Sequence, residues 1–328
     1  MERLKPQSKI GSSAANRTAS RPRGSRKAEV VLGTLYLLSA LMVRVLRPAR
    51  WRALPELLAR YQTRRPRIKD RAFRRAVCAV LDHDLDEGAT KALVTDHETH
   101  VHCRSVLVAA LRRRGGWNPS IVVTGRDKVE AALARGRGAI LWFDGFSHSA
   151  IIGKRAIAEA GFRPWHVSAP GHGILNTPLA DRLLNPRVIE VELRYLSGRI
   201  VLDPVSTLAA TRKIVNILDD NAIVSITNNA YIGKTIHIPF GKGMVLAVAR
   251  APLNLAASRG AALLPVSVIE IEPFHRYEVS VGSDLASQAS AGVADPIEAM
   301  ASAYAGYLLP LVQANPAQWD GWSLLRPD

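Results

Sequence analysis

From residue 121 onward, short apolar runs rich in β-branched residues alternate with stretches whose apolar residues recur at helical spacing. That alternation restricts the fold more than any other feature, because strands separated by helices build a largely parallel sheet covered by helices. Strands are expected at 121–124, 139–143, 165–168, 188–193, 223–227, 263–271 and 277–281. Helices are expected at 127–135, 149–160, 207–218, 247–259 and 296–312. Upstream, 55–114 reads as amphipathic helices: Ala72, Ala76, Val77 and Val80 share one face, and Val106, Leu107, Ala110 and Leu111 form another. Gly115 and Gly116 stop that pattern.

Charge divides the chain differently. Residues 1–75 carry 20 Lys or Arg against Glu2, Glu29, Glu56 and Asp70, which accounts for the whole net charge of +16, while the remainder carries 24 residues of each sign. An evenly basic chain suggests nucleic acid as its partner. A basic collar around an apolar run suggests attraction to anionic headgroups together with a hydrophobic anchor. The run is 28–43, AEVVLGTLYLLSALMV, closed by Arg44 and Arg47. It is shorter than the roughly 20 apolar residues of a spanning helix, although snorkelling by Arg44 would let Val45 and Leu46 extend it to a marginal span. The arginines that follow it, in place of a small-residue cleavage site, argue against a signal peptide. Both flanks are basic, twelve Lys or Arg at 44–75 against eight at 1–27, which slightly favours a cytoplasmic location for the C-terminal part. The plainer readings of the run are a buried core helix or a basic arm that binds nucleic acid.

The expected organisation is a disordered basic leader at 1–27, an anchor helix at 28–46, a basic helical region at 47–114 and an α/β domain at 115–328. Cys78 and Cys103 are the only cysteines, so no disulfide framework is implied.

Three stretches resemble one family. They are 123–141, VTGRDKVEAALARGRGAIL; Ile238-Pro-Phe-Gly241 with the later 256–265 run; and Asn315-Pro-Ala-Gln-Trp-Asp-Gly-Trp322. In order and spacing they are similar to the late acyltransferases of lipid A biosynthesis, within the larger lysophospholipid acyltransferase group. The resemblance implies a glycerol-3-phosphate acyltransferase-like α/β fold on the cytoplasmic face of a bacterial inner membrane. It also implies transfer of a fatty acyl group from an acyl carrier protein or coenzyme A thioester to a membrane lipid acceptor, with no cofactor and no nucleic-acid partner. The family uses a His followed, after four intervening residues, by Asp or Glu, the His removing the acceptor's proton and the carboxylate fixing its tautomer.

Here that motif is broken. The block reads Phe143-Asp144-Gly145-Phe146-Ser147-His148-Ser149-Ala150, and alignment on Gly153 puts Gly145 and Ala150 where the pair belongs. Three readings stay open. In the first, Asp144 at the strand end orients His148 as base, with N–H groups near residues 145–147 facing a developing oxyanion. In the second, the site is inactive and the fold binds a lipid or carrier protein. In the third, Gly145-Phe146-Ser147-His148-Ser149 is a degenerate nucleophile elbow, with Ser147 served by Asp203 or Asp220 and by His237 or His275.

The resemblance further implies substrate contacts at Asn176 and Arg182 and at Lys234, His237 and Lys242; Ser147 in the turn, and Asn228 beyond a strand end where ligands of open α/β sheets bind, are further candidates. Each has an ordinary alternative as a surface charge or turn residue. Asp96-His97-Glu98-Thr99-His100-Val101-His102-Cys103 packs three histidines near a thiol. On one helix only His97 and His100 share a face, so a metal would need ligands from other segments, and no metal is expected. Trp319 and Trp322 pack the C-terminal segment onto the core or sit at headgroup level.

Overall fold

The computed structural model describes residues 26–64, 68–113, 116–169, 182, 185–202, 207–228, 234–289 and 295–328. Most of the expected leader therefore lies outside the described residues. Four helices come first: α1 (Arg26–Val45), α2 (Ala53–Gln62), α3 (Ile68–Leu81) and α4 (Glu87–Leu111). The Asp86 carboxylate starts α4 by accepting from the Ala89 N–H, which satisfies one of the orphan donors of its first turn.

The α/β part then runs β1 (Ser120–Thr124), α5 (Arg126–Ala134), β2 (Ala139–Phe143), a π-helical turn (Ser149–Gly153) leading into α6 (Lys154–Glu159), β3 (Trp165–Ser168), α7 (Asn185–Leu193), β4 (Gly198–Val201), α8 (Thr207–Asp219) and β5 (Ile223–Thr227). It continues through β6 (Thr235–Pro239), β7 (Met244–Ala249), α9 (Arg250–Arg259), β8 (Ala262–Glu272), β9 (Arg276–Val281), α10 (Leu285–Ala289), α11 (Pro296–Ala314) and β10 (Leu325–Pro327).

Seven strands form the main sheet in the order β1-β9-β8-β2-β5-β3-β4. The five from β8 to β4 are parallel; β9 returns antiparallel to β8, and β1 lies parallel to β9. A small antiparallel sheet, β10-β7-β6, lies apart from it. The expected α/β class with a mostly parallel sheet flanked by helices is thus what the chain adopts.

Central strand β2 is buried along its whole length, and its two-residue period divides the core. Ala139, Leu141 and Phe143 face a cluster with α4, the end of α1 and the π turn. Ile140 and Trp142 face a second cluster with α8, α9 and α11. Residues of the N-terminal helices, among them Val43, Trp51 and Cys103, share the first cluster with Leu264 and Val266 of β8, so the helical region and the sheet have one continuous interior.

Two expectations need correction. Residues 188–193 are helical, not a strand: Val188, Val191 and Glu192 are its buried positions, at helical spacing, so the apolar–polar alternation of VIEVEL yields to tertiary packing. The helix expected at 247–259 starts only at Arg250, because the apolar residues before it complete β7. The turn between β6 and β7 explains Gly241, which at φ +82° sits so close to α3 that a Cβ would lie 2.7 Å from the Ala79 carbonyl oxygen.

Among the described residues, no helix is long and apolar enough to cross a membrane. On α1, Leu35, Tyr36, Ser39, Met42 and Val43 are buried, while Leu37, Leu38, Leu41 and Val45 are exposed. That exposed strip leads into the exposed Arg44, Arg47 and Arg50.

Candidate functional site

Beyond the C-terminal end of β2 the chain makes a short loop before the π turn, and the C-terminal segment clamps that loop. The Ser147 N–H donates to the Gln318 carbonyl at 2.8 Å, and the Asp320 N–H donates to the Gly145 carbonyl at 2.7 Å. The same Gln318 holds Glu270 of β8: its amide nitrogen donates to the Glu270 carbonyl at 2.9 Å, and its Oε1 accepts from the Glu270 N–H at 2.8 Å. Residues 315–322 therefore fix the loop before His148 and the backbone of Glu270 together. Trp319 and Trp322 are buried against the core, not displayed at its edge.

His148 is 1 % exposed. Its Nε2 lies 3.2 Å from Nδ1 of His100, on α4, and 3.5 Å from Oε2 of Glu270. His100 Nδ1 lies 3.6 Å from the same carboxylate oxygen, so two imidazoles and a carboxylate close a triangle. The other oxygen of Glu270 accepts from the Tyr277 hydroxyl at 2.8 Å and from the Phe274 N–H at 3.0 Å, both from the β8–β9 hairpin. A β-bulge between Glu270 and Glu272 disturbs the hairpin register beside this carboxylate. The Tyr277 ring packs edge-on against His148. Outward of the triangle, Arg52 reaches Glu270 Oε2 at 3.5 Å and also pairs with Asp96 and Glu56.

Burial favours the neutral form of each group, and the neighbours decide the outcome. His100 is pushed down to about 3, first by burial and then by His148 beside it. For Glu270 burial pushes upward but is overcome by His148, the Phe274 N–H and His100, which hold the carboxyl far below the usual range. The Tyr277 hydroxyl is pushed well up by burial and by the Glu270 charge, and the Cys103 thiol likewise. The site thus holds an ionised glutamate beside a neutral His100.

The expected pairing of Asp144 with His148 does not form. Strand alternation carries Asp144 to the face of Ile140 and Trp142, where its Oδ1 accepts from the Tyr304 hydroxyl at 2.9 Å and its Oδ2 has no hydrogen-bond partner among the described residues. The Asn228 amide donates to the same Tyr304 oxygen at 2.8 Å, and the Tyr304 ring stacks on Trp142. Burial raises the Asp144 carboxyl well above its ordinary range, against the opposing effect of the Tyr304 hydrogen bond. Its place beside the imidazole is taken by Glu270, more than a hundred residues further on.

Of the other expected residues, Ser147 is buried and its hydroxyl donates to Asp320 Oδ1 at 3.0 Å, a carboxylate also held by Arg104, so its partner is an acid and not the histidine a nucleophilic serine needs. Asp203 lies outside the described residues, and Asp220, His237 and His275 are exposed. Asn228 is buried in the Tyr304 nest. Arg182, Lys234 and Lys242 are exposed like His237, and no hydrogen bond or ion pair joins any of these four to His148; Asn176 lies outside the described residues. The histidine-rich segment disperses: His97 Nδ1 faces the Ala317 carbonyl at 3.1 Å, His102 faces Gln62, and only His100 joins the site.

Glu270 escapes the sequence reading, and His100 enters it only as part of the 96–103 metal candidate. The available signal was an acidic residue inside the apolar run 263–271, since an ionisable side chain on a buried strand needs a partner. No family model matches the chain, and no match is found among curated proteins.

Proposed function

We propose that this protein is a membrane-associated acyltransferase-like enzyme, which moves a fatty acyl group from an acyl carrier protein or coenzyme A thioester to the hydroxyl or amine of a lipid acceptor at the cytoplasmic face of a bacterial inner membrane. The observation that carries this reading is His148 directly beyond the C-terminal end of a central parallel strand, with the Glu270 carboxylate 3.5 Å from Nε2. Glu270 takes the role first expected of Asp144: it orients Nε2–H and stabilises the imidazolium, which leaves Nδ1 as the proton acceptor. Among the described residues Nδ1 has no hydrogen-bond partner, consistent with an atom kept for substrate. The exposed apolar strip of α1, ending in Arg44, Arg47 and Arg50, supports attachment in the plane of the interface, where apolar side chains enter the acyl boundary and arginines meet anionic headgroups. Arg182, Lys234, His237 and Lys242 remain candidates for the acceptor's phosphates or the donor's phosphopantetheine, with Asn176 and Asn228 as further candidates.

The burial of His148 favours one second reading, a non-catalytic lipid- or carrier-binding protein on the same scaffold, since an imidazole 1 % exposed meets substrate only after its cover parts. Thioester consumption by the purified chain, with anionic lipid vesicles as acceptor, separates the two. Turnover that falls at least about 100-fold in both His148→Ala and Glu270→Gln, the lower end of a general base's contribution, while Asp144→Asn retains it, supports the enzyme. Absence of turnover with every acceptor supports the binding protein.

A further inference from the structure

We propose that His100 Nδ1, His148 Nε2 and Glu270 Oε2 form a binding site for one divalent transition metal ion of the zinc class. The three atoms lie 3.2, 3.5 and 3.6 Å from one another. Ligands held at roughly 2.0–2.2 Å in a tetrahedron are about 3.3–3.6 Å apart, so the triangle has the size of one face of such a site. Two histidines and a carboxylate, with a fourth position for water or substrate, also make a donor set that zinc accepts.

The supporting shell has the form a metal requires. The second oxygen of Glu270 is held by the Tyr277 hydroxyl and the Phe274 N–H, which fixes the first toward the triangle. With Nδ1 turned to the metal, His100 presents Nε2 toward Asp96 Oδ1, which at 3.9 Å is close enough for electrostatic attraction but not for a hydrogen bond. Arg52 is shared among Glu56, Asp96 and Glu270, and Arg60 is a more distant second partner of Glu56, so these five groups keep one uncompensated negative charge for a cation. Asp96 also lines a surface groove of about 450 Å³ with Glu56, Lys91 and Thr99.

Occupancy has a consequence that rests on the proposed function. A metal at Nε2 keeps the proton of His148 on Nδ1, the atom assigned as base, so the metal-loaded protein cannot accept the acceptor's proton there. The bound ion would switch acyl transfer off.

The experiment titrates Zn2+, and separately Co2+, into chelator-stripped full-length protein, reading stoichiometry by calorimetry and coordination from the visible spectrum of Co2+. The site predicts one ion per chain, an intense four- or five-coordinate cobalt spectrum, and affinity reduced at least about 100-fold in His100→Gln and in Glu270→Gln. Uptake of no stoichiometric ion by the folded wild-type chain overturns the site, as does equal uptake by both variants. If the variants fail to fold, the wild-type cobalt spectrum decides, a weak six-coordinate spectrum overturning the site. Thioester turnover measured in parallel separates the two claims. Stoichiometric binding without turnover in metal-free protein supports the metal site while sinking acyl transfer; turnover in stripped protein without metal uptake does the reverse.

Discussion

Two buried carboxylates flank the end of β2, and their surroundings drive them in opposite directions. Glu270 has two neutral donors on one oxygen and two imidazoles and a guanidinium on the other, so it stays ionised below the usual glutamate range. Asp144, as deeply buried, receives one hydroxyl from Tyr304 and leaves its second oxygen without a partner among the described residues, so it favours the protonated form. Burial alone does not decide the charge of an acid; the number of donors aimed at it does. A third case lies on α7, where Glu192 meets Lys154 at 2.9 Å with both side chains 1 % exposed. Burial lowers the lysine's proton affinity and Glu192 restores part of it.

The strongest way to break this comparison is to remove the acid that compensates a buried lysine. Glu192→Ala leaves Lys154 buried and uncompensated and should cost about 3–5 kcal/mol, read by chemical denaturation. Glu270→Gln should cost about 1.5–3 kcal/mol at neutral pH through its charge-assisted hydrogen bonds. Because Glu270 is depressed in the fold, that contribution exists above the ordinary glutamate value near 4.5 and fades as pH falls through its lower folded value. The variant's deficit should therefore shrink in acid. Tyr304→Phe, which removes the one donor to Asp144, should cost about 1 kcal/mol.

Asp144→Asn gives an effect of similar size and the opposite sign. Since the Asp144 carboxyl is raised in the fold, its favourable contribution is complete below the unfolded value near 3.8 and is lost as pH rises through the folded value. The asparagine variant should match wild type in acid and gain about 1 kcal/mol at neutral pH, the size of one net hydrogen bond. Parallel pH–stability profiles for Asp144→Asn and Glu270→Gln would show that the two acids share one environment and defeat the contrast.

The sheet was legible because its strands are buried on both faces and read as unbroken apolar runs: 139–143, 165–168 and 223–227 are found at the expected bounds. β4, β6, β7 and β10 were not, being short or half-exposed with no strong period. The sequence reading places His148 on the first helical turn after β2, and in the fold it directly precedes the π turn. Its partner was not legible, because proximity in sequence favoured Asp144 and only the β8–β2 pairing brings Glu270 to the same end of the sheet. Within 96–103 helix geometry puts only His97 and His100 on one face, and the groups that meet His100 in the fold come from two distant segments, the loop after β2 and β8.

Tyr277 and Phe274, which hold the inner oxygen of Glu270, belong to the same hairpin as Glu270, whereas His100 and His148 arrive from a helix and a loop far upstream. The acid and its brace are thus assembled by local chain reversal, His148 joins them through the β2–β8 pairing, and His100 arrives only with the docking of the N-terminal helices. Fragments starting at the sheet would retain a well-braced acid with one imidazole missing, so dissection of this chain into autonomous pieces should yield no piece with the complete chemistry.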